Sequence, residues 1–313
     1  MKNKYMRAAA LIPAVAALLG ASFAAGASRM AMANAREGEN KPPYVSGSAY
    51  FTLENNSFSG CVKAADPEGG ALSVYVVVPP KKGRVEFNGV TFVYTPYTGQ
   101  TGTDSFVFCA ADSMGALSRE GTAEIKIQSP GKSREFDDMK DNAYCYSALK
   151  ASEKQIISGE KIGRALLFYP EKQVSGGEFL LMLSAAADLK PEDASCINTG
   201  LVNDSGLRLW TKPYIDTGLK NGLITEKYFD FEGIVTRAEA VKMADRALGM
   251  GDVSKSAVYI RDLSSVPEDA LQSYLNLSAY DVLNLYDGCA HPSAALTRDF
   301  AADLAYRIYL LKH

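Results

Sequence analysis

The chain has little histidine: two residues in 313, His291 and the terminal His313. A metal site built from several histidines is thereby excluded, and histidine-dependent catalysis would rest on His291 alone. Its five cysteines, Cys61, Cys109, Cys145, Cys196 and Cys289, show no Cys-x-x-Cys spacing, which argues against structural zinc and against a dithiol redox motif. The number is odd, so at least one lacks a partner within the chain. Cys61–Cys109 and Cys145–Cys196 are candidate bridges, with free thiols the alternative. There is no strong charge of either sign: the formal net charge is −3, which gives no global case for a nucleic-acid partner. After residue 35 no apolar run approaches the roughly 20 residues of a membrane span. The 47% apolar content suggests two or three domains, each with a filled core.

What is present begins with a leader pattern. Lys2, Lys4 and Arg7 precede AAALIPAVAALLGASFAAGA, and small-residue cleavage sites follow at AGA, AMA and ANA. Residues 1–35 therefore read as a secretory signal peptide. A membrane anchor fits less well, because the run is rich in alanine and glycine and is broken by Pro13. Its removal would take Lys2, Lys4, Arg7 and Arg29 with it and shift the net charge from −3 to −7. A secreted chain of this kind would stay at its cell by non-covalent binding or through a partner.

Residues 36–46 (REGENKPPYVS) are polar and proline-bearing and read as a linker. From 47 to 128 the grammar is β: SVYVVV, GRVEF, TFVYTP, DSFVFCA and TAEIKI are short runs separated by turn residues, the spacing of a small antiparallel sandwich. Residues 129–135 read as a second linker, and from 136 to 313 apolar residues recur at three- and four-residue spacing, which predicts helices.

The β segment resembles bacterial cadherin-like and Ig-like modules. The resemblance is carried by an Asp-rich turn at 66, Pro-Lys-Lys-Gly at 80–83, a Tyr-Thr-Pro corner at 94–96, and Gly-Thr-Asp-Ser-Phe at 102–106. Asp66, Glu68, Asp104 and Asp112 can be placed at one end of such a sandwich as oxygen ligands for calcium. The favoured reading is that they are turn formers bonded to local backbone, with no metal or cofactor.

The helical half repeats itself. VSGGEFLLML, VTRAEAVKMA and LTRDFAADLA place cap candidates Ser175, Thr236 and Thr297 at intervals of 61 residues, each after an aliphatic residue. Glu178 and Glu239, three places after Ser175 and Thr236, complete two capping boxes. An Asp-led helical segment precedes each opening, marked by Asp138, Asp204 and Asp262, with Trp210 in the middle unit. The pattern resembles a set of three S-layer homology repeats: 136–193 (degenerate), 194–252 and 253–313. That resemblance implies an all-α pseudo-threefold domain with ligand grooves between repeats. It also implies binding to an acidic, often pyruvylated, secondary polysaccharide of the bacterial cell wall.

Two arginines stand out. Arg237 and Arg298 lie in the first helical turn, where the dipole disfavours a cation by a few tenths of a kcal/mol. An anionic ligand would reverse the sign, with helix-start amides and a guanidinium converging on it. The alternative is an internal pair with Asp204 or Asp262. The first repeat has Gly176 in place of the arginine, so at most two arginine-dependent grooves are expected. Trp210 is read as core or groove wall before sugar platform, and the candidate glycan-binding set is Arg237, Arg298, Asp204, Asp262, Trp210, Thr236 and Thr297. No nucleophile has a recognisable base nearby, and an enzyme is not expected. The expectation is a secreted S-layer or cell-wall surface protein, held by its repeats, with the sandwich as spacer or adhesion module. The alternative is an envelope assembly protein whose repeats bind protein partners.

Overall fold

A computed structural model describes residues 40–131, 133–191, 194–253 and 259–313. The expected signal peptide and residues 36–39 of the first linker lie outside the described residues. The chain divides into two compact units, with the division in sequence between Ser129 and Pro130. No helix among the described residues is long and apolar enough to cross a membrane.

The first unit is a two-sheet β-sandwich. Its strands are β1 (Tyr44–Ser46), β2 (Ser48–Leu53), β3 (Phe58–Cys61), β4 (Lys63–Ala65), β5 (Ser73–Val78), β6 (Gly83–Asn88), β7 (Thr91–Pro96), β8 (Gly102–Ala111) and β9 (Gly121–Gln128). One sheet has the order β2-β9-β8-β5, the other β3-β7-β6, and β1 pairs with β4. All pairs are antiparallel except β2 with β9, so the sandwich is not the purely antiparallel one expected. β1 falls within the stretch read as linker: Tyr44–Ser46 pairs with Lys63–Ala65, and pairing needs no strong local strand signal. Alternation does the sorting. In β9, Ala123, Ile125 and Ile127 are buried while Thr122, Glu124 and Lys126 face out or lie at the boundary. They meet Phe92, Tyr94, Phe106 and Phe108 in one aromatic-rich core.

The second unit contains six α-helices in its described residues: α1 (Cys145–Glu153), α2 (Gly176–Ala186), α3 (Lys212–Lys220), α4 (Arg237–Leu248), α5 (Glu268–Ala279) and α6 (Arg298–Lys312). It is not helical throughout. β10 (Glu160–Ile162) and β11 (Ala165–Leu167) form a hairpin around Gly163, whose φ of 60° suits the two-residue turn. The segments led by Asp204 and Asp262 open as short 3-10 turns, Asp204–Gly206 and Leu263–Ser265 after Asp262, before α3 and α5.

The three capped helices, α2, α4 and α6, pack on one another, and each receives the first helix of the following unit: α3 on α2, α5 on α4 and α1 on α6. The residues just before the caps are joined by a closed ring of backbone bonds. Val174 N donates to Leu296 O at 2.9 Å, Leu296 N to Val235 O at 2.8 Å, and Val235 N to Val174 O at 3.2 Å. These are the three aliphatic residues spaced by 61.

None of the five cysteines is bridged. Cys61 lies on β3 and Cys109 on β8, in different sheets; Cys145 opens α1, and Cys196 is in a loop. The pairings considered from sequence are therefore not formed.

Candidate functional site

Two helix starts are closed by reciprocal side-chain bonds. Ser175 Oγ accepts from Glu178 N at 3.2 Å while the Glu178 carboxylate accepts from Ser175 N at 3.0 Å. Thr236 and Glu239 repeat the arrangement at 3.3 and 2.7 Å. The third start departs from it. Thr297 makes no side-chain cap bond; its hydroxyl instead donates to Asp299 Oδ1 at 2.6 Å, and that oxygen accepts Phe300 N at 2.7 Å. Asp299, two places beyond the cap position, thus does the capping that Thr297 was expected to do.

The remaining amides of the first turns are also taken. Gly176, Arg237 and Arg298 N–H donate to Gly233, Ala294 and Lys172 carbonyls at 2.9, 2.8 and 2.9 Å. Gly177, Ala238 and Asp299 N–H donate to Phe231, Pro292 and Pro170 at 2.9, 3.0 and 3.2 Å. Every acceptor belongs to the loop before another capped helix. The expected convergence of helix-start amides on an anion is therefore corrected: tertiary contacts consume those donors, and only side chains remain to grip a ligand.

The two arginines differ in what they touch. Arg298 lies over Phe168, its guanidinium carbon 5.0 Å from the ring centroid, and donates from Nε to Phe168 O at 2.8 Å and from Nη2 to Ser158 O at 2.7 Å. Burial lowers its pKa, with Glu178 and Asp138 opposing. It borders a cleft of about 710 Å³, also lined by Glu178, Lys154, Lys190, Asp188 and Tyr214. Arg237 lies over Phe300 at 4.5 Å and makes no side-chain hydrogen bond or ion pair with the described residues. Its Nε is buried without a partner, as is the hydroxyl of fully buried Tyr274.

Around Arg237 the chain gathers aromatics. Phe300 meets Tyr144 edge-on at 5.8 Å, and Tyr144 meets Tyr286 edge-on at 5.6 Å. Burial raises the phenols of Tyr144, Tyr274 and Tyr286, against the opposing charge of Arg237, so all three stay neutral. Phe300 occupies the place that Glu239 holds one repeat earlier. In sequence it reads as a lost capping box; in three dimensions it is the plate under Arg237. The signal that could have found it is the aromatic itself, standing where a cap requires a carboxylate.

Neither arginine pairs with the aspartates considered for it. Asp204 accepts from Lys212 Nζ at 2.6 Å and from Thr199 N and Oγ1 at 2.8 and 2.7 Å. The Lys212 bond, with Thr199, holds its carboxyl down to about 2. Asp262 accepts Ala290 N at 2.5 Å and His291 N at 3.0 Å. Asp138 does the same for Phe168 and Tyr169 at 2.7 Å each. In the middle unit that position belongs to Asn203, which exchanges bonds with Phe229, and not to Asp204. Asp204 and Asp262 are thus spent on their own unit.

Trp210 is 54% exposed in a short 3-10 turn and stands edge-on to Phe231 at 5.7 Å. It is a wall with a free face, not core. Phe231 and the Asp230 carbonyl in turn fill the space that a side chain at Gly177 and at Gly176, respectively, would need.

In the sandwich, Asp104 takes N–H bonds from Lys81, Lys82 and Ser105 at 2.9 Å each and the Tyr94 hydroxyl at 2.7 Å. Burial alone would raise its pKa, but these donors hold it below the usual carboxylate range. Asp112 caps a turn through Met114 and Ala116 N–H, and Asp66 does so through Glu68 and Gly70 N–H, while Glu68 is exposed. Among the described residues one group of three potential metal donors converges, and it contains none of these acids: Asp287, Cys289 and His291.

Residues 40–128 match the family model of the bacterial Ig domain, in agreement with the β-sandwich, and no S-layer homology repeat is matched. No curated protein matches the chain. Among solved structures, an endo-fucoidan hydrolase of glycoside hydrolase family 107 is similar at 15% identity over 33% of this chain and 16% of its own, TM-score 0.25. A mutant SrpA adhesin from Streptococcus sanguinis is similar at 12% identity over 32% of this chain and 62% of its own, TM-score 0.25. The sialic acid binding region of a Streptococcus sanguinis adhesin is similar at 12% identity over 51% and 42%, TM-score 0.23. The chain spans less than two thirds of the length of each.

Proposed function

We propose that the chain is a secreted, non-catalytic surface protein whose helical unit is a pseudo-threefold set of S-layer homology repeats holding an acidic secondary polysaccharide of the cell wall. The sandwich serves as spacer or adhesion module. The repeat reading is supported by the closed ring through Val174, Val235 and Leu296 and by the cyclic use of first-turn amides. The glycan reading is carried by Arg237. A guanidinium over an aromatic ring, with a buried Nε and no acceptor among the described residues, is a cation awaiting an anionic partner. A carboxylate on a sugar, such as a pyruvate ketal, supplies the two oxygens that arginine's fork takes. Arg298 has two donors already committed, so Arg237 is the stronger ligand candidate of the two.

The test is cosedimentation of the full chain with purified walls, with and without removal of the polymer's acidic substituents. Arg237→Ala should weaken pelleting by about 10–100-fold, the worth of a charge-assisted contact of roughly 1.5–3 kcal/mol. Arg298→Ala should cost less. Undiminished pelleting of the double variant would refute the ligand role. Pelleting that survives removal of the polysaccharide would favour the assembly reading, in which the repeats bind envelope proteins.

A further inference from the structure

Between α5 and α6 the chain runs through Tyr286, Asp287, Gly288, Cys289, Ala290, His291 and Pro292. Its backbone is fixed from the side by Arg261 and Asp262. Arg261 N donates to Gly288 O at 2.9 Å, and the Asp262 carboxylate holds the amides of Ala290 and His291. Gly288 and His291 both take left-handed backbone, φ 76° and 46°, which turns the loop back on itself. Within it Asp287 Oδ1 accepts Cys289 N at 2.9 Å, and Oδ2 is left facing His291 Nε2 at 2.6 Å. Cys289 is a free thiol, and one donor atom from each of the three residues lies within 4.8 Å of the other two.

The geometry points to a binding site for a zinc-class divalent cation, ligated by Cys289 Sγ, His291 Nε2 and Asp287 Oδ2, with its fourth position open to solvent or a further ligand. Metal–ligand bonds of about 2.0–2.3 Å in a tetrahedron place donor atoms roughly 3.3–3.6 Å apart. The three donors lie within 4.8 Å of one another, so Cys289 Sγ needs to close by at most about 1.5 Å, and the exposed His291 ring to withdraw from Asp287 by somewhat under 1 Å. A thiolate, an imidazole and a carboxylate together suit zinc, cobalt or nickel and not calcium or magnesium, which take oxygen. On binding, Cys289 releases its proton to solvent and His291 presents its neutral nitrogen. Sequence spacing hides the site, because Asp-x-Cys-x-His is no zinc signature in an extended chain; only the doubled-back loop makes alternate residues converge.

The fold does not ask for these side chains. In the first repeat the same positions, 122 residues earlier, hold Leu167 and Tyr169. Tyr169 has φ 59°, and its amide is held by Asp138 as that of His291 is by Asp262. The middle repeat has Tyr228 and Asp230 there. In the first repeat the Asp-held amide and left-handed residue of this turn are thus built without thiol, imidazole or carboxylate, so the turn itself does not require them, and a ligand accounts for their presence in the third. This site is independent of glycan binding.

The experiment is a Co²⁺ titration of the full chain after chelation, read by the sulfur-to-cobalt charge-transfer band and the ligand-field bands of a tetrahedral ion. A saturable one-to-one signal, displaced by Zn²⁺, is expected. Cys289→Ser should abolish the charge-transfer band and Cys196→Ser should leave it intact. His291→Asn, which tolerates left-handed backbone, and Asp287→Asn should weaken binding by about 100-fold or more, beyond the ~10–100-fold that loss of a merely supporting group costs. Circular dichroism of each variant checks that it is folded. No band in the wild type, or a band that persists in folded Cys289→Ser, overturns the proposal.

Discussion

Gly177→Ala tests the joint between the first two repeats. A methyl added at Gly177 would meet the Phe231 ring at 2.3, 2.4 and 2.5 Å, against an ordinary contact of 3.4–4 Å. The ring would have to withdraw by about 1.1 Å or more, and it is buried and flanked by Phe229 and Trp210. Overpacking of this kind costs roughly 1–3 kcal/mol. Alanine in a helix returns up to about 1 kcal/mol. A forced shift of this size in a buried ring belongs to the upper part of the overpacking range, about 2–3 kcal/mol, so the net loss should be about 1–2 kcal/mol, or about 2–8 °C in the melting of a unit this size. Trp210 is the sole tryptophan, so its emission reports on the ring it faces. Gly206→Ala is the control: its added methyl meets nothing within 4 Å, and its effect should stay within about 0.5 kcal/mol. A Gly177→Ala protein that melts at or above the wild-type temperature with unchanged emission would refute the close approach.

Two further expectations concern charge. Asp303, 2% exposed on α6, accepts from Ser147 Oγ on α1 and from Arg307 Nε at 2.9 Å, so Asp303→Ala removes the ion-pair partner of a mostly covered cation and leaves it the Asp281 carbonyl on Nη1. The cost should be about 3–5 kcal/mol by urea unfolding, and Asp303→Leu/Arg307→Met should recover most of it; a loss under about 1 kcal/mol would contradict the pairing. Asp204 has its pKa depressed to about 2 by Lys212 and Thr199. A depressed carboxylate stabilises above its unfolded pKa, and the benefit disappears as pH falls toward the folded value. The urea-midpoint gap between wild type and Asp204→Asn should therefore be full near pH 6 and shrink between about pH 4 and pH 2; a gap independent of pH would count against the ion pair.

Much of the helical unit was legible because its signals are local. A capping box spans three residues, so Ser175 with Glu178 and Thr236 with Glu239 declare two helix starts wherever the chain goes. The hairpin at 160–167 was missed because its strands are three residues each and hydrophobic periodicity needs longer windows. β1 was missed for the same reason. Asp204 was misassigned because an aspartate before a helix looks the same in sequence whether it holds a loop, as Asp262 does, or a buried lysine.

The sequence by itself determined the sandwich grammar of 47–128, the 61-residue period and the positions of the helix starts. Each of these is encoded within a few residues of chain by turn chemistry, side-chain alternation and capping. Tertiary structure alone decided which donors remain for a ligand. The first-turn amides go to carbonyls of other repeats, Arg298 to Phe168 and Ser158, while Arg237 keeps its guanidinium uncommitted over Phe300. It also decided that Asp287, Cys289 and His291 converge. These outcomes depend on which distant groups arrive within about 3–5 Å, and no local pattern carries that information.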